Sequence, residues 1–377
     1  MKKTTYLFIA GIILLFAYAI GISYRILQKE LQRAEQTEST LTRTPFRLKG
    51  TIQESQYYSL FTKQYKTYYE RVKDSATIME FPHSIIHFSV DGGANLYLLN
   101  DGTAMTYDCD HKQLVAGSMH NLQLAVLQDS LNQMMSLEET EANYSQSGTD
   151  DELVVEMNDS SYAHTLNTIH TQQKKALELM VQFNSKNRSN WAPAALLYNT
   201  WPYFNYEEMV QFVDTTANYW QHPELEDFHK TLQQLAQLKE GTPMTDVPCF
   251  TPDGKLHKLK EWTGKGHYTI VAINHGRFSP LTQGLLEYAY QHYHQSKGLE
   301  IVQIGNYNDY RYWKNDLDKQ SQPWVNTSTL GGSYPLTQAY TSLPFYILFS
   351  PKAEIVTAHP TVAPLLLRLE KQYQGRR

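Results

Sequence analysis

The stretch Asn274-His275-Gly276-Arg277-Phe278-Ser279-Pro280-Leu281 joins an apolar run to an amphipathic one and decides the fold. The run before it, Tyr268–Ile273, is unbroken and rich in β-branched residues, which predicts a strand buried on both faces of a parallel sheet. A helix is predicted to begin at Pro280, because proline suits the first helical turn, and to end at Gly298. Its apolar residues recur at spacings of three and four, which gives the helix one apolar face.

The sequence on both sides of this stretch completes an α/β domain over residues 241–377. Leu299–Ile304 predicts the next strand, so strand, helix and strand form a βαβ unit. Upstream, the turn Pro252-Asp253-Gly254-Lys255 predicts a short hairpin. The remaining predicted elements are a helix at Tyr310–Lys319, strands at Phe345–Phe349 and Ile355-Val356, and a helix at Val362–Tyr373.

Several of these residues resemble the TlpA-like, AhpC/TSA-type thioredoxin-fold family of bacterial envelope proteins of Bacteroidetes type. Members carry a glycine followed by an Asp-Phe-Thr strand and an Asp-Gly-Lys turn. This chain has Gly241, Cys249-Phe250-Thr251 and Asp253-Gly254-Lys255 there. The resemblance implies a thioredoxin-like domain at 241–377. Further stretches that look like the family's Trp helix, Leu-Pro-Trp loop and cis-proline segment are Tyr312-Trp313-Lys314, Gln322-Pro323-Trp324 and Leu343-Pro344.

The chain departs from this family at its Trp-Cys-x-Pro-Cys active site, where Phe278 and Leu281 stand at the two cysteine positions. Disulfide exchange requires a thiolate that attacks a disulfide sulfur, so these degenerate positions predict a redox-inactive domain without a cofactor. Ser279 has no evident base and no Gly-x-Ser-x-Gly elbow around it, and together with Pro280 it is predicted to start a helix as its N-cap.

The resemblance also implies a groove for an extended peptide, because the cis-proline loop lies beside the active-site loop in thioredoxin-like folds. Leu343, just before Pro344, would pair with the peptide through main-chain groups alone. Asn274, His275 and Arg277 are candidates for the rim of this groove. Solvated loop residues at His275 and Arg277, and a simple turn proline at Pro344, are the alternatives. The predicted partner is a protein or peptide of the cell envelope.

The segment Thr4–Tyr24 is uncharged and 21 residues long, which is enough to span a bilayer. We interpret residues 1–24 as a transmembrane anchor. A cleaved signal peptide, with Tyr6–Phe16 as its apolar core and a cleavage site at Ala17-Tyr18-Ala19, is the alternative. Because the flanking positive charges nearly balance, the envelope family resemblance decides the orientation: a single-pass inner-membrane protein with its body in the periplasm. Residues 25–44 are predicted to form a stalk and linker.

Residues 45–136 are predicted to form an antiparallel β domain, because short alternating runs such as Ile85–Val90 are separated by Asp-Gly turns. This part resembles, more faintly, the β domain of unknown function that precedes the thioredoxin-like part in many such envelope proteins. Residues 137–240 are predicted to form an acidic loop at Leu137–Glu152 and a helical linker. The linker's predicted helices are Tyr162–Phe183, Trp191–Tyr198, Tyr206–Tyr219 and Pro223–Leu238.

Composition limits the chemistry further. The net charge of −5 makes nucleic acid an improbable partner. The 14 histidines show no zinc-binding spacing, so no metal site is predicted. Cys109 and Cys249 are too far apart for a Cys-x-x-Cys pair; they are either two buried thiols or one disulfide between domains. Three functions stay open: a redox-inactive binding protein, which we favour, a thiol–disulfide oxidoreductase that uses these cysteines, and an envelope scaffold.

Overall fold

The computed structural model divides the chain into two compact units, Met1–Leu122 and Gln123–Arg377, and each is described by itself. Within its described part, no helix has the length and apolarity needed to cross a bilayer. The predicted anchor and most of the predicted stalk lie outside the described residues. These residues are 41–51, 55–59, 70–72, 74–90, 95–147, 157–274, 276, 278–318, 322–332, 334 and 344–375.

The first unit is β-rich, as predicted, and its described strands form two four-stranded sheets. The order of strands is β4-β1-β7-β8 in one sheet and β3-β2-β5-β6 in the other. The two sheets share an aromatic core, since Phe88 of β5 lies 4.5 Å from Phe46 of β1 and 5.2 Å from Tyr107 of β7 between ring centroids. The strands are β1 Thr42–Lys49, β2 Ser55–Ser59, β3 Glu70–Val72, β4 Ser75–Glu80, β5 Ile85–Val90, β6 Asn95–Leu99, β7 Met105–Asp108 and β8 Gln113–Ala116.

The predicted antiparallel character of this unit is wrong for one pair of strands. β1 and β7 run parallel, with Phe46 opposite Met105 and Leu48 opposite Tyr107. Alternation along β1 buries Phe46 and Leu48 on one face, but it carries no information on the direction of the neighbouring strand.

The prediction of an acidic loop at Leu137–Glu152 is wrong for the residues up to Ser147, which are helical. A single helix, α1, spans Met119–Ser147. Residues 137–142, Leu-Glu-Glu-Thr-Glu-Ala, include five strong helix formers, and the negative charge of the glutamates does not by itself make a loop.

Four more α-helices precede the C-terminal domain among the described residues, and three of them follow the prediction closely. The helix predicted at Tyr206–Tyr219 ends early, at Phe212. Val213 is extended there, and the Asp214 carboxylate accepts a hydrogen bond from the Thr216 N–H at 2.9 Å, which forms a turn. The helices are α2 Asp159–Lys186, α3 Ala192–Thr200, α4 Tyr206–Phe212 and α5 Glu226–Leu235.

The C-terminal α/β domain is confirmed, and its sheet is mixed rather than parallel. β11 runs parallel to β12 and antiparallel to β14, and every residue of β11 is buried. The described strands are ordered β10-β9-β13-β12-β11-β14-β15. The elements are β9 Pro248–Phe250, β10 Leu256–Lys258, β11 Thr269–Asn274, α6 Pro280–Lys297, β12 Glu300–Gly305, α7 Tyr310–Leu317, β13 Val325–Ser328, β14 Phe345–Phe349, β15 Ile355–His359 and α8 Val362–Gln374.

Candidate functional site

The site begins where β11 leads into α6, and its local signals act as predicted. Pro280 opens the helix, and the Ser279 Oγ accepts a hydrogen bond from the Thr282 N–H at 3.1 Å. Gly298 ends the helix in the left-handed conformation, with φ of 72°. The N-cap role of Ser279 is therefore confirmed, and its buried hydroxyl is used by the helix.

Phe278, at the first cysteine-equivalent position, belongs to the hydrophobic core. It is only 8% exposed, and its ring centroid lies 6.2 Å from that of Tyr346 and 6.4 Å from that of Trp324. Leu281, at the second cysteine-equivalent position, packs against the same core. The two positions predicted to correspond to the family's cysteines are therefore occupied by apolar, packed side chains.

A chain of polar side chains holds the backbone between β11 and α6. Asn274 is buried and donates from Nδ2 to the Gly276 carbonyl at 2.5 Å. Its Oδ1 accepts from Gln303 Nε2 at 3.2 Å, and the Gln303 Oε1 accepts from Trp324 Nε1 at 3.3 Å. Asn274 was predicted at the rim of the groove, but its amide is engaged inside the domain.

Sequence reasoning did not identify Gln303 and Trp324 as parts of this site. A signal was present for Gln303, because it is the one uncharged polar residue in the apolar run Leu299–Ile304. A polar residue in a buried strand needs a hydrogen-bonding partner on a neighbouring element.

Of the other predicted groove residues, the structure describes only Pro344, which is half-buried just before β14. Leu343, His275 and Arg277 lie outside the described residues. Among the described residues, no group of three or more His, Cys, Asp or Glu side chains could hold a metal ion.

Both cysteines are free and buried. Cys249 lies in β9, where burial raises the pKa of its thiol to about 11, and a hydrogen bond with Thr327 offsets only part of that effect. Cys109 directly follows β7 and is 5% exposed. Reactive cysteines are partly exposed and have a lowered pKa. Cys249 has neither property, and Cys109 is not exposed.

The arrangement of the C-terminal domain combines a βαβ unit, β11-α6-β12, with an antiparallel ββα unit, β14-β15-α8, through the pairing of β11 with β14. Helix α6, which carries the predicted degenerate site in its first turn, follows β11, an interior strand of the sheet. This domain has a thioredoxin-like fold.

Comparisons with known proteins give neighbours of low sequence identity and assign no function. No family model and no curated protein matches the sequence. Similar solved structures include a thioredoxin-like protein from Bacteroides caccae, at 15% identity and a TM-score of 0.40, covering 55% of this chain and 80% of that one. A thiol-disulfide oxidoreductase from Bacteroides fragilis matches at 18% identity with a TM-score of 0.31. The match covers 36% of this chain and 99% of that one. The thioredoxin domain of a thiol-disulfide oxidoreductase from Bacteroides vulgatus matches at 18% identity with a TM-score of 0.29. The match covers 32% of this chain and 87% of that one.

Proposed function

We propose that this chain is an envelope protein of TlpA-like type whose thioredoxin-like domain has lost disulfide chemistry and acts by binding a protein or peptide. The observation that carries the proposal is the burial of Phe278 in an aromatic core directly before the N-cap of α6. In this fold the reactive thiolate must stand at that helix terminus, where backbone N–H groups and the helix dipole stabilise its charge. A phenyl ring there leaves no group that can attack a disulfide.

The remaining nucleophiles near the site do not replace the missing pair. The Ser279 hydroxyl is buried and serves as the helix cap. Cys249 is fully buried, and its raised pKa keeps it protonated at neutral pH. The alternative of an oxidoreductase that uses Cys109 or Cys249 has no support in this geometry.

A binding role fits the fold, because peptide capture beside the proline loop uses main-chain hydrogen bonds and needs no thiol. We place the contact at Leu343, directly before Pro344, on the strength of the family resemblance. We further propose that residues 1–24 anchor the protein in the inner membrane and that the body lies in the periplasm. A scaffold role in an envelope assembly is the competing function, and it does not depend on Leu343.

The test compares two substitutions at one position. Leu343→Pro removes the backbone N–H that would pair with the peptide, whereas Leu343→Ala keeps it. Chemical cross-linking in cells followed by affinity purification should recover the same partner with the natural protein and Leu343→Ala, and lose it with Leu343→Pro. Equal unfolding midpoints would show that Leu343→Pro is folded. Recovery of the partner with Leu343→Pro would reject the groove and favour the scaffold.

A further inference from the structure

Two tyrosine rings from different helices lie in contact within the unit Gln123–Arg377. Tyr162 is in the first turn of α2, and Tyr288 is in the middle of α6. Their ring centroids are 4.1 Å apart, and the two ring planes are 28° from parallel. The contact therefore joins the helical region of this unit to the C-terminal α/β domain.

The hydroxyl of Tyr288 has a carboxylate beside it. It donates a hydrogen bond to Asp159 Oδ1 at 2.7 Å, and Asp159 is the first residue of α2. Burial, and then this hydrogen bond, raise the pKa of Tyr288, so the phenol is protonated at neutral pH. A phenol that loses an electron becomes a strong acid, and its proton can then pass to the carboxylate that already accepts its hydrogen bond. Tyr288 is therefore arranged to lose an electron and a proton together.

Tyr162 is the buried member of the pair, since only 3% of its surface is exposed. Burial, and then the charge of Glu370 on α8, raise the pKa of its hydroxyl, so this phenol is also protonated at neutral pH. Tyr288 is half-buried. An oxidant in solution therefore reaches Tyr288 first, and Tyr162 exchanges an electron with Tyr288 across the ring contact.

Two other pairs of tyrosine rings in this unit meet in a different geometry. Tyr293 and Tyr373 are tilted by 43° with their centroids 5.1 Å apart. Tyr268 and Tyr373 are almost perpendicular, at 88° and 5.4 Å. Two tyrosyl radicals couple through the ring carbons next to their hydroxyls, and a face-to-face contact of the rings brings these carbons within reach of each other. The ring geometry therefore favours Tyr162 with Tyr288 over these two pairs.

We propose that Tyr162 and Tyr288 form an oxidation site, at which one-electron oxidants of the radical type convert the pair into a dityrosine cross-link. Each ring gives one electron to an oxidant, and each phenol gives up its proton, that of Tyr288 to Asp159. The two radicals then form one carbon–carbon bond between the ring carbons next to the hydroxyls. Each of these carbons loses its hydrogen as a proton while each phenol oxygen regains one, so that two electrons and two protons leave overall. The product is a covalent bridge between α2 and α6.

The test is photo-oxidation of the full-length chain with a ruthenium tris-bipyridyl complex and persulfate, which together supply a one-electron oxidant. The natural chain should give a monomeric product with dityrosine fluorescence, and peptide mass spectrometry should find Tyr162 joined to Tyr288 with the loss of two hydrogen atoms. Because a covalent bridge restricts the unfolded chain, the cross-linked monomer should unfold at a higher urea concentration. Absence of this cross-link, or dityrosine formed only at other pairs or between molecules, would overturn the proposal.

Substitutions separate this chemistry from packing. Tyr288→Phe keeps the ring but has no phenol, so the cross-link should be lost. Asp159→Asn keeps a hydrogen-bond acceptor for Tyr288 but is not a base, so the cross-link should form more slowly. The matched control is Tyr290→Phe, because Tyr290 is a half-buried tyrosine of the same helix whose ring neighbours are His294 and Trp324. Equal yields from Tyr288→Phe and Tyr290→Phe, or an unchanged rate in Asp159→Asn, would contradict the assignment.

Discussion

Phe278 is a packing residue at the start of the candidate site. Its ring contacts Tyr346 of β14 and Trp324, which precedes β13, so the residue supports the core of the C-terminal domain. The residue therefore contributes to stability directly, and its stability effects can be measured without knowing the partner.

Phe278→Ala should lower the free energy of unfolding by about 3–4 kcal/mol, because it removes buried surface and leaves a cavity. Phe278→Leu keeps most of the apolar volume and should cost about 1–2 kcal/mol. Urea unfolding of both variants measures the difference. A cost below about 1 kcal/mol for the alanine variant would mean that Phe278 is not packed in the core.

Cys249 offers a second measurement at this scale. With a pKa of about 11, its thiolate fraction at pH 8 is small, and burial blocks access as well. Alkylation by iodoacetamide at pH 8 should be at least about 100-fold slower in the folded chain than in urea, as measured by mass spectrometry. Rapid labelling of Cys249 in the folded protein would restore the oxidoreductase alternative.

Individual residues also show which features of the site are readable from sequence. Ser279, Pro280 and Gly298 act through their own turn, so their roles follow from local rules. The packing of Phe278 against Tyr346 depends on a contact between residues 68 positions apart, an offset that follows from their numbers in the sequence. No local pattern specifies such a contact.

Among the elements, α4 is joined to β15 by a partly buried pair, Glu208 and His359. Glu208 forms a capping box with Asn205 and accepts a hydrogen bond from His359 Nε2 at 3.1 Å. His359 is 1% exposed, and its Nδ1 lies 2.9 Å from the Thr361 backbone nitrogen, whose N–H is the donor. Nδ1 therefore accepts from Thr361, and Nε2 faces Glu208.

Glu208→Ala should destabilise the chain by about 2–3 kcal/mol, because it leaves the His359 N–H unpaired and removes half of the capping box. Glu208→Gln keeps an acceptor and should cost about 1 kcal/mol. Urea unfolding at pH 7 compares the two. Equal costs would mean that the hydrogen bond between Glu208 and His359 is not formed.

The same pair predicts a dependence on pH. Burial opposes the charge of Glu208, but the His359 ring and the Asn205 N–H outweigh it and lower the pKa of the carboxyl. The contribution of ionised Glu208 to the free energy of unfolding is therefore complete at pH values above its ordinary pKa of 4.5. This contribution is lost as the pH falls through the lower pKa of the folded state. The stability gap between the natural chain and Glu208→Gln should shrink below about pH 4.5. A gap that is constant from pH 7 to pH 3 would contradict this.

Helices and strands were predicted well where the spacing of apolar residues and the residues that end an element agree. The strand at Phe345–Phe349 was placed with its observed bounds, since a short apolar run lies between a proline and a Ser-Pro turn. The C-terminal part of α1 was missed because its acidic residues were interpreted as a solvated loop. Acidic side chains are equally well solvated on the outer face of a helix. The parallel pairing of β1 with β7 joins strands far apart in sequence, and no periodicity encodes it.

At the scale of the whole molecule, we propose a body without redox chemistry that is held at a membrane. Residues 1–24 are the proposed anchor. In a diderm bacterial host, the full-length chain should stay in the membrane fraction after alkaline carbonate extraction, and deletion of residues 1–24 should release it. A mature protein whose mass lacks the segment up to Ala19 would show a cleaved signal peptide instead.

The most direct test of the central claim is the dithiol-dependent reduction of insulin by the full-length chain. It should be run beside Cys249→Ser and a Phe278→Cys/Leu281→Cys variant that restores the family's pair. The account predicts that the natural chain is inactive and that the restored variant turns over. Turnover by the natural chain that is abolished in Cys249→Ser would contradict the account and establish an enzyme that uses a buried thiol.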